Sequence, residues 1–113
     1  MHESSLCNGL IRRALAVAAD HQARVIRRVS VRLGPLCGIT AGDLRAAFDH
    51  CAEGTIAAEA TFEIHETPLI AYCPLCEAES DVAPNDLSCP RCGAAARLVS
   101  GHELVLEHVD LAL

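Results

Sequence analysis

The sequence predicts an α+β fold: two helices packed on a small, mixed or antiparallel sheet of about three strands, with a cysteine-rich module inserted between strands. Three observations predict it. Two segments place apolar residues at helical spacing, two others alternate apolar and polar residues, and two C-x2-C pairs stand twelve residues apart. A chain of 113 residues is long enough for one modest domain and a small appendage.

The first helix and strand follow directly from the amino terminus. We expect a helix capped by Ser4 or Ser5 and ending between positions 20 and 22, because apolar residues recur there one helical turn apart. Those residues are Leu6, Leu10, Ile11, Ala14, Leu15 and Ala18. Residues 28–33 then alternate arginine or serine with Val and Leu, which predicts a strand with one buried face. Gly34-Pro35 ends that strand.

A second helix and strand repeat the pattern. Thr40 and Asp43 resemble a capping box, and the apolar positions Leu44, Ala47, Phe48 and Cys51 follow at helical spacing. Gly54 closes this helix. Residues 58–65 alternate apolar and polar side chains and predict a second strand, which Pro68 ends.

The last part of the chain predicts two more extended runs, at residues 96–99 and 103–111, joined by a hairpin turn at Ser100-Gly101. The final run is too hydrophobic to stand alone, so we expect it to pair with the sheet of the first half. The predicted domains are therefore residues 1–68 plus 98–113, an α/β domain, and residues 69–97, the inserted module.

Composition limits the function classes. The chain is 51% hydrophobic but only 3% aromatic, with a net charge of −6, which argues against nucleic acid as a partner. All nine basic residues are arginines. Four of them, Arg24, Arg27, Arg28 and Arg32, lie on one segment, which is either a solvated strand face or a contact patch for an acidic partner.

The cellular compartment is also indicated. No stretch approaches the ~20 apolar residues of a membrane span, and no charged segment followed by a hydrophobic run opens the chain. Seven cysteines, four of them in C-x2-C pairs, indicate a reducing compartment rather than a disulfide framework. We therefore expect a cytoplasmic protein with no membrane association.

The two C-x2-C pairs, Cys73-Cys76 and Cys89-Cys92, predict a tetrahedral zinc site in a zinc-ribbon-like module. Only three sizeable aliphatic side chains lie between Cys73 and Cys92, so this stretch needs a metal ion to hold its shape. Four thiolates around zinc leave no open position for a substrate. The same ligand set would also accept iron, as in a rubredoxin-like electron carrier.

The amino terminus, Met1-His2-Glu3, is a second candidate metal site. The terminal amine, the His2 imidazole and the backbone nitrogens between them can chelate one ion in planar geometry, which favours Ni(II) or Cu(II) over zinc. The alternative is an ordinary solvated histidine in a terminal segment.

These features together resemble a known family. Met1-His2-Glu3 with Leu6, the run Leu33-Gly34-Pro35-Leu36-Cys37-Gly38, Gly54-Thr55 before the second strand, and the paired C-x2-C knuckles occur in the order seen in the hydrogenase nickel-incorporation metallochaperones, HypA/HybF. The resemblance spans essentially the whole chain. Two residues depart from the pattern: Cys37 stands where a small residue such as serine is expected, and Glu77 replaces a glycine at the first knuckle.

The resemblance implies a function and its site residues. His2, the Met1 amine and nearby backbone nitrogens would hold Ni(II) with support from Glu3, while Cys73, Cys76, Cys89 and Cys92 would hold structural Zn²⁺. Family members deliver nickel to the large subunit of [NiFe] hydrogenase together with a nickel-binding GTPase, and some also serve urease through its accessory proteins. Whether this chain is a monomer or a homodimer stays open.

No enzymatic activity is expected, because the sequence has no Gly-rich phosphate loop and no recognisable Ser/His/Asp arrangement. Cys7, Cys37 and Cys51 are expected to be small buried hydrophobes. The rival hypothesis is a zinc-ribbon adaptor that docks onto a protein without handling nickel.

Overall fold

The computed structural model describes residues 3–113 and confirms the α+β class. Its elements are α1 (Glu3–Asp20), β1 (Val25–Leu33), α2 (Ala41–Ala52), β2 (Thr61–Glu66), β3 (Ile70–Cys73), β4 (Ala78–Asp81), β5 (Arg97–Ser100) and β6 (Leu104–Ala112). The strands form two three-stranded sheets, ordered β2-β1-β6 and β4-β3-β5.

The chain divides into two compact units, each built from separate segments. The helical unit contains the chain up to Arg32, Ile39–His65 and Val105–Leu113. The cysteine unit contains Leu33–Gly38 and Glu66–Leu104, and therefore both C-x2-C pairs.

In the helical unit, β1 and β2 run parallel. The Ile26 amide donates to the Ile56 carbonyl just before β2. Further along both strands, the Ser30 hydroxyl donates to the Glu63 carboxylate, 3.1 Å away. Parallel neighbours need a crossover connection. Helix α2 provides it.

Strand β6 lies on the other side of β1 and runs antiparallel to it. The Arg24 amide donates to the Ala112 carbonyl at one end, and Arg32 meets Glu107 toward the other. The sheet is therefore mixed and three-stranded, as expected. The final run of the chain does join the first-half sheet, as its hydrophobicity predicted.

The core of the helical unit is made by both helices and by β1. Helix α1 buries one stripe, and the rings of Phe48 on α2 and Phe62 on β2 stack with centroids 4.1 Å apart. The Arg45 guanidinium also donates to the Phe62 carbonyl at 2.7 Å. Buried apolar residues here include Cys7, Leu10, Ile11, Ala14, Ala18, Ile26, Val29, Val31, Leu44, Phe48, Ala52 and Phe62.

The predicted ends of the helices are partly right. The N-cap half of the predicted capping box of α2 is confirmed, because the Thr40 hydroxyl accepts from the Asp43 amide at 3.1 Å. Helix α1 ends at Asp20 as expected. It begins at Glu3, however, so Ser4 and Ser5 lie inside the helix and do not cap it.

Two strand predictions are wrong. Strand β2 begins only at Thr61, because residues 55–60 form hydrogen-bonded turns. The expected hairpin at Ser100-Gly101 does not form, since β5 pairs with β3 and β6 pairs with β1. An extended run followed by a glycine predicts the local backbone conformation. It does not predict which strand each run pairs with, because that depends on the tertiary structure.

The cysteine unit has its own antiparallel sheet, which sequence reasoning missed. Strand β3 pairs with β4 in a register that places Cys73 opposite Ala78, and with β5 in a register that places Tyr72 opposite Arg97. The Arg97 guanidinium lies 5.2 Å from the centre of the Tyr72 ring. This small sheet carries the first C-x2-C pair at the end of β3.

Candidate metal centre

The four cysteines of the two C-x2-C pairs converge on one point. Their sulfur atoms all lie within 4.8 Å of one another. The Sγ atoms of Cys73 and Cys92 are 3.6 Å apart, and those of Cys76 and Cys89 are 3.9 Å apart. A tetrahedron with Zn–S bonds of about 2.3 Å has edges of about 3.8 Å. The predicted ligand set is therefore brought together with the spacing that zinc requires.

Each pair forms a tight turn with backbone amides directed at sulfur. The Cys76 amide donates to the Cys73 sulfur at 3.4 Å, and the Arg91 amide donates to the Cys89 sulfur at 3.4 Å. The residue after each second cysteine has a positive φ, 53° at Glu77 and 77° at Gly93. We call these two turns the first and second zinc knuckles, residues 73–77 and 89–93.

The knuckles are held by the surrounding backbone. The first is the turn of the β3-β4 hairpin. In the second, the Gly93 amide donates to the Cys89 carbonyl and the Cys89 amide donates to the Ala94 carbonyl, both at 2.8 Å, while Ser88 pairs with Ala95. The sulfur positions are thus set by hydrogen bonds at the base of each turn.

The pKa values of two of these thiols are shifted in opposite directions. Hydrogen bonds from the Cys92 and Arg91 backbone amides lower the pKa of the Cys89 thiol from 9.0 to about 7, because they stabilise the thiolate. A hydrogen bond to the Cys92 sulfur, followed by burial and hydrogen bonds to Cys89 and Cys73, raises the pKa of the Cys76 thiol to about 12. Metal ligation requires all four cysteines as thiolates, so zinc binding at this site would release protons.

The chemistry of this donor set fits structural zinc. Four sulfur ligands, two of them buried, complete a tetrahedral site without a vacant position. Within residues 5–113, whose side chains are described, no other group of three or more His, Cys, Asp or Glu side chains lies close enough to share an ion. Bound zinc would clamp the two knuckles together.

The predicted nickel ligands are placed differently. Met1 and His2 lie outside the described residues, and Glu3 is the first residue of α1. The nickel site therefore stays a prediction. Two other histidines have an acidic neighbour: His65 lies 3.7 Å from Glu63, and the His102 ring lies 3.5 Å from the Glu103 carboxylate.

The remaining cysteines differ in burial. Cys7 is fully buried, as expected, whereas Cys37 and Cys51 are half-buried. Burial raises the pKa of the Cys7 thiol to about 12, with a further contribution from Cys51, and burial also raises the pKa of Cys37. Within residues 5–113, Cys7 belongs to no group of side chains that could share a metal ion.

Two of the four arginines on the arginine-rich segment form ion pairs within the chain. Arg28 lies 3.7 Å from Glu63 and 3.4 Å from Asp110, and Arg32 lies 3.3 Å from Glu107. For these two arginines the contacts favour a solvated strand face over a patch for an acidic partner. Over residues 3–113 no helix is long and apolar enough to cross a membrane.

The sequence did not single out Asp81 and Asp86. In the structure both residues line a cavity that Cys89 also lines. Two aspartates five positions apart follow no recognised motif. Only the folded structure shows that both line one cavity.

Comparison with known proteins gives one consistent result. Residues 1–111 match the family model described as "Hydrogenase/urease nickel incorporation, metallochaperone, hypA". The hydrogenase maturation factor HypA of Nitrosospira multiformis is 38% identical over 112 residues, covering 98% of this chain and 97% of its own. The factor from Chloroflexus aggregans is 37% identical over 108 residues, covering 94% of this chain and 95% of its own.

Solved structures agree on the fold. The solution structure of the Ni metallochaperone HypA from Helicobacter pylori matches with a TM-score of 0.72 at 23% identity, over 99% of this chain and 98% of that one. A second solution structure of a HypA protein matches with a TM-score of 0.74 at 24% identity, over 98% and 96% of the two chains.

Proposed function

Because the chain belongs to the HypA family of hydrogenase/urease nickel-incorporation metallochaperones, we propose that it binds Ni(II) and delivers it during maturation of [NiFe] hydrogenase. The observation that carries this function is the family match over residues 1–111, which includes both zinc knuckles and the Met1-His2-Glu3 terminus. Urease is a second recipient named in the family description.

The proposed nickel site is the amino terminus. The Met1 amine, the His2 imidazole and the intervening backbone nitrogens supply nitrogen ligands for planar coordination, which suits Ni(II). Glu3, at the start of α1, supports the site. A carrier must release its ion, and a few ligands at a chain terminus suit transfer better than a closed cage does.

The zinc site has the opposite role in this proposal. The four cysteines form a closed S4 set, so bound zinc supplies folding free energy to the cysteine unit and offers no position for a reacting molecule. We therefore propose no enzymatic turnover for this chain. Any nucleotide hydrolysis would belong to its partner.

The partners we propose are a nickel-binding maturation GTPase and the hydrogenase large subunit, with urease accessory proteins as a further class. The net charge of −6 speaks against nucleic acid. The many cysteine thiols support a cytoplasmic location, where such thiols stay reduced.

Native mass spectrometry of an untagged chain tests the nickel site. We expect one zinc ion and one further Ni(II) per chain, with His2→Ala losing the nickel and keeping the zinc. His108→Ala is the matched control, because His108 is exposed on β6 and should leave both metals unchanged. Equal nickel binding by His2→Ala and the parent chain would show that the terminal site is wrong.

The same samples separate the two rival functions. A zinc-ribbon adaptor would bind its protein partner but take up no nickel. An iron-binding electron carrier would be coloured and would contain iron by elemental analysis, whereas a zinc protein absorbs only in the ultraviolet.

A further inference from the structure

A cavity of about 290 Å³ opens beside the second zinc knuckle, within the cysteine unit. It is lined by the last residue of β4, by the segment that follows β4, and by the knuckle itself. Its volume lies just below the ~300–1,000 Å³ of ordinary small-molecule pockets, so it suits one side chain or a group of that size.

Two acidic residues line this cavity without a cationic partner. Neither Asp81 nor Asp86 takes part in an ion pair with a described residue. One oxygen of Asp86 accepts the Ser88 amide at 3.0 Å, which holds the pKa of that carboxyl below its usual value. The Ser88 side chain also hydrogen-bonds this carboxylate.

A third negative group and an apolar surface complete the lining. Cys89 lines the same cavity, and a zinc ion held by the four thiolates would leave a net charge of −2 beside it. Val82, Ala83 and Pro90 supply apolar atoms around the acidic groups. A ligand that fits this lining has an aliphatic stem and a cationic head.

We propose that this cavity binds an arginine side chain presented by a partner protein. A guanidinium offers several donors in a planar fork, so it can meet carboxylates on one wall while its three-carbon stem lies against the apolar residues. This proposal rests on the proposed function in one respect, that the partners of this chain are proteins.

Other occupants fit less well. A divalent cation would need a third ligand, and the described side chains offer no such group here, the four zinc cysteines being the one cluster found. An anionic nucleotide would meet two carboxylates and the zinc thiolates, and would be repelled.

NMR titration of the zinc-loaded, ¹⁵N-labelled full chain tests the proposal. The probe is the peptide acetyl-Gly-Arg-Gly-amide, and its control contains citrulline, which has nearly the same shape without the charge. We expect saturable shifts of the Asp86, Ser88 and Gly93 amides with the arginine peptide and none with the citrulline peptide. Added salt should weaken the binding.

Variants that each remove one carboxylate charge test whether the aspartates of the cavity bind the arginine peptide. Asp86→Asn keeps an oxygen for the Ser88 amide but removes the charge, and should weaken the arginine peptide roughly tenfold. Asp81→Asn, which alters no hydrogen bond, tests the same wall if the Asp86 variant disturbs the loop. Glu79→Gln removes a carboxylate that does not line the cavity and should bind as the parent does.

Three results would overturn the proposal: no saturable shift at these amides, equal shifts with citrulline, or unchanged binding by both aspartate variants. Nickel binding by the Asp86→Asn chain should equal that of the parent. Failure of the cavity proposal is therefore distinguishable from failure of the nickel site.

Discussion

Glu77 and Gly93 hold equivalent backbone positions, each directly after the second cysteine of a zinc knuckle. Both have positive φ angles, 53° and 77°. A left-handed backbone lowers the free energy of unfolding by roughly 1–2 kcal/mol when the residue is not glycine. Glycine avoids that cost, but its greater conformational freedom in the unfolded chain lowers the free energy of unfolding by about 0.4–1 kcal/mol. The first knuckle is therefore strained at a residue where the second is relaxed.

This difference predicts opposite effects for two exchanges. Gly93→Ala should lower the free energy of unfolding by about 0.5–1 kcal/mol, from backbone conformation alone, because a Cβ there meets no atom within 4 Å. Glu77→Gly should raise it by a similar amount. Urea denaturation of the zinc-loaded chains measures both, and a clear loss of stability in Glu77→Gly would mean that the Glu77 side chain makes a stabilising contact.

At the scale of elements, the segment that follows β1 is hydrogen-bonded to the segment that joins β5 to β6, within the cysteine unit. The Gly34 amide donates to the Glu103 carbonyl and the Leu36 amide donates to the Gly101 carbonyl, both at 2.9 Å. A Cβ on Gly34 would overlap the Gly101 carbonyl, and one on Gly101, whose φ is 114°, would overlap Leu69. Gly34 ends a strand, as the sequence predicted, but its larger role is to let a second backbone approach.

Gly34→Ala should therefore lower the free energy of unfolding by about 2–3 kcal/mol, the cost of forcing backbone against backbone. Gly9→Ala is the matched control. A Cβ at Gly9 meets no atom within 4 Å, and alanine should stabilise helix α1 by about 0.5–1 kcal/mol. Thermal and urea unfolding measure both, and a Gly34→Ala chain as stable as the parent would show that the two segments can separate.

At the scale of the whole molecule, the two units depend on different forces. The largest fully buried side chains are Phe48, Ile26, Leu44, Val29, Val31, Cys7 and Cys73. Of these, only Cys73 belongs to the cysteine unit. Since a structural zinc site can contribute ~10–16 kcal/mol of apparent binding free energy, metal replaces a large core there.

Zinc removal should therefore affect the units unequally. After treatment with a chelator, hydrogen exchange should accelerate strongly in β3, β4 and β5, while the amides of α1 and α2 keep most of their protection, because an apolar core holds them. Mass spectrometry of peptic fragments resolves the two regions. Equal loss of protection in the helices would contradict the separate roles of core and metal.

Local signals in the sequence were sufficient for much of this protein. Periodicity located both helices and the strand β1, Thr40 marked the cap of α2, and the C-x2-C spacing identified all four sulfur ligands, because each depends on residues close together in the chain. The order of motifs also identified the family.

Strand pairing, backbone strain and the acidic cavity were decided only by the tertiary structure. The pairing of β5 with β3 and of β6 with β1, the approach of Gly34 to Gly101, and the cavity lined by both Asp81 and Asp86 each bring together groups that no local pattern relates. The physical reason is that hydrogen-bonded partners and burial are chosen among all segments at once, whereas periodicity and ligand spacing are properties of one segment alone.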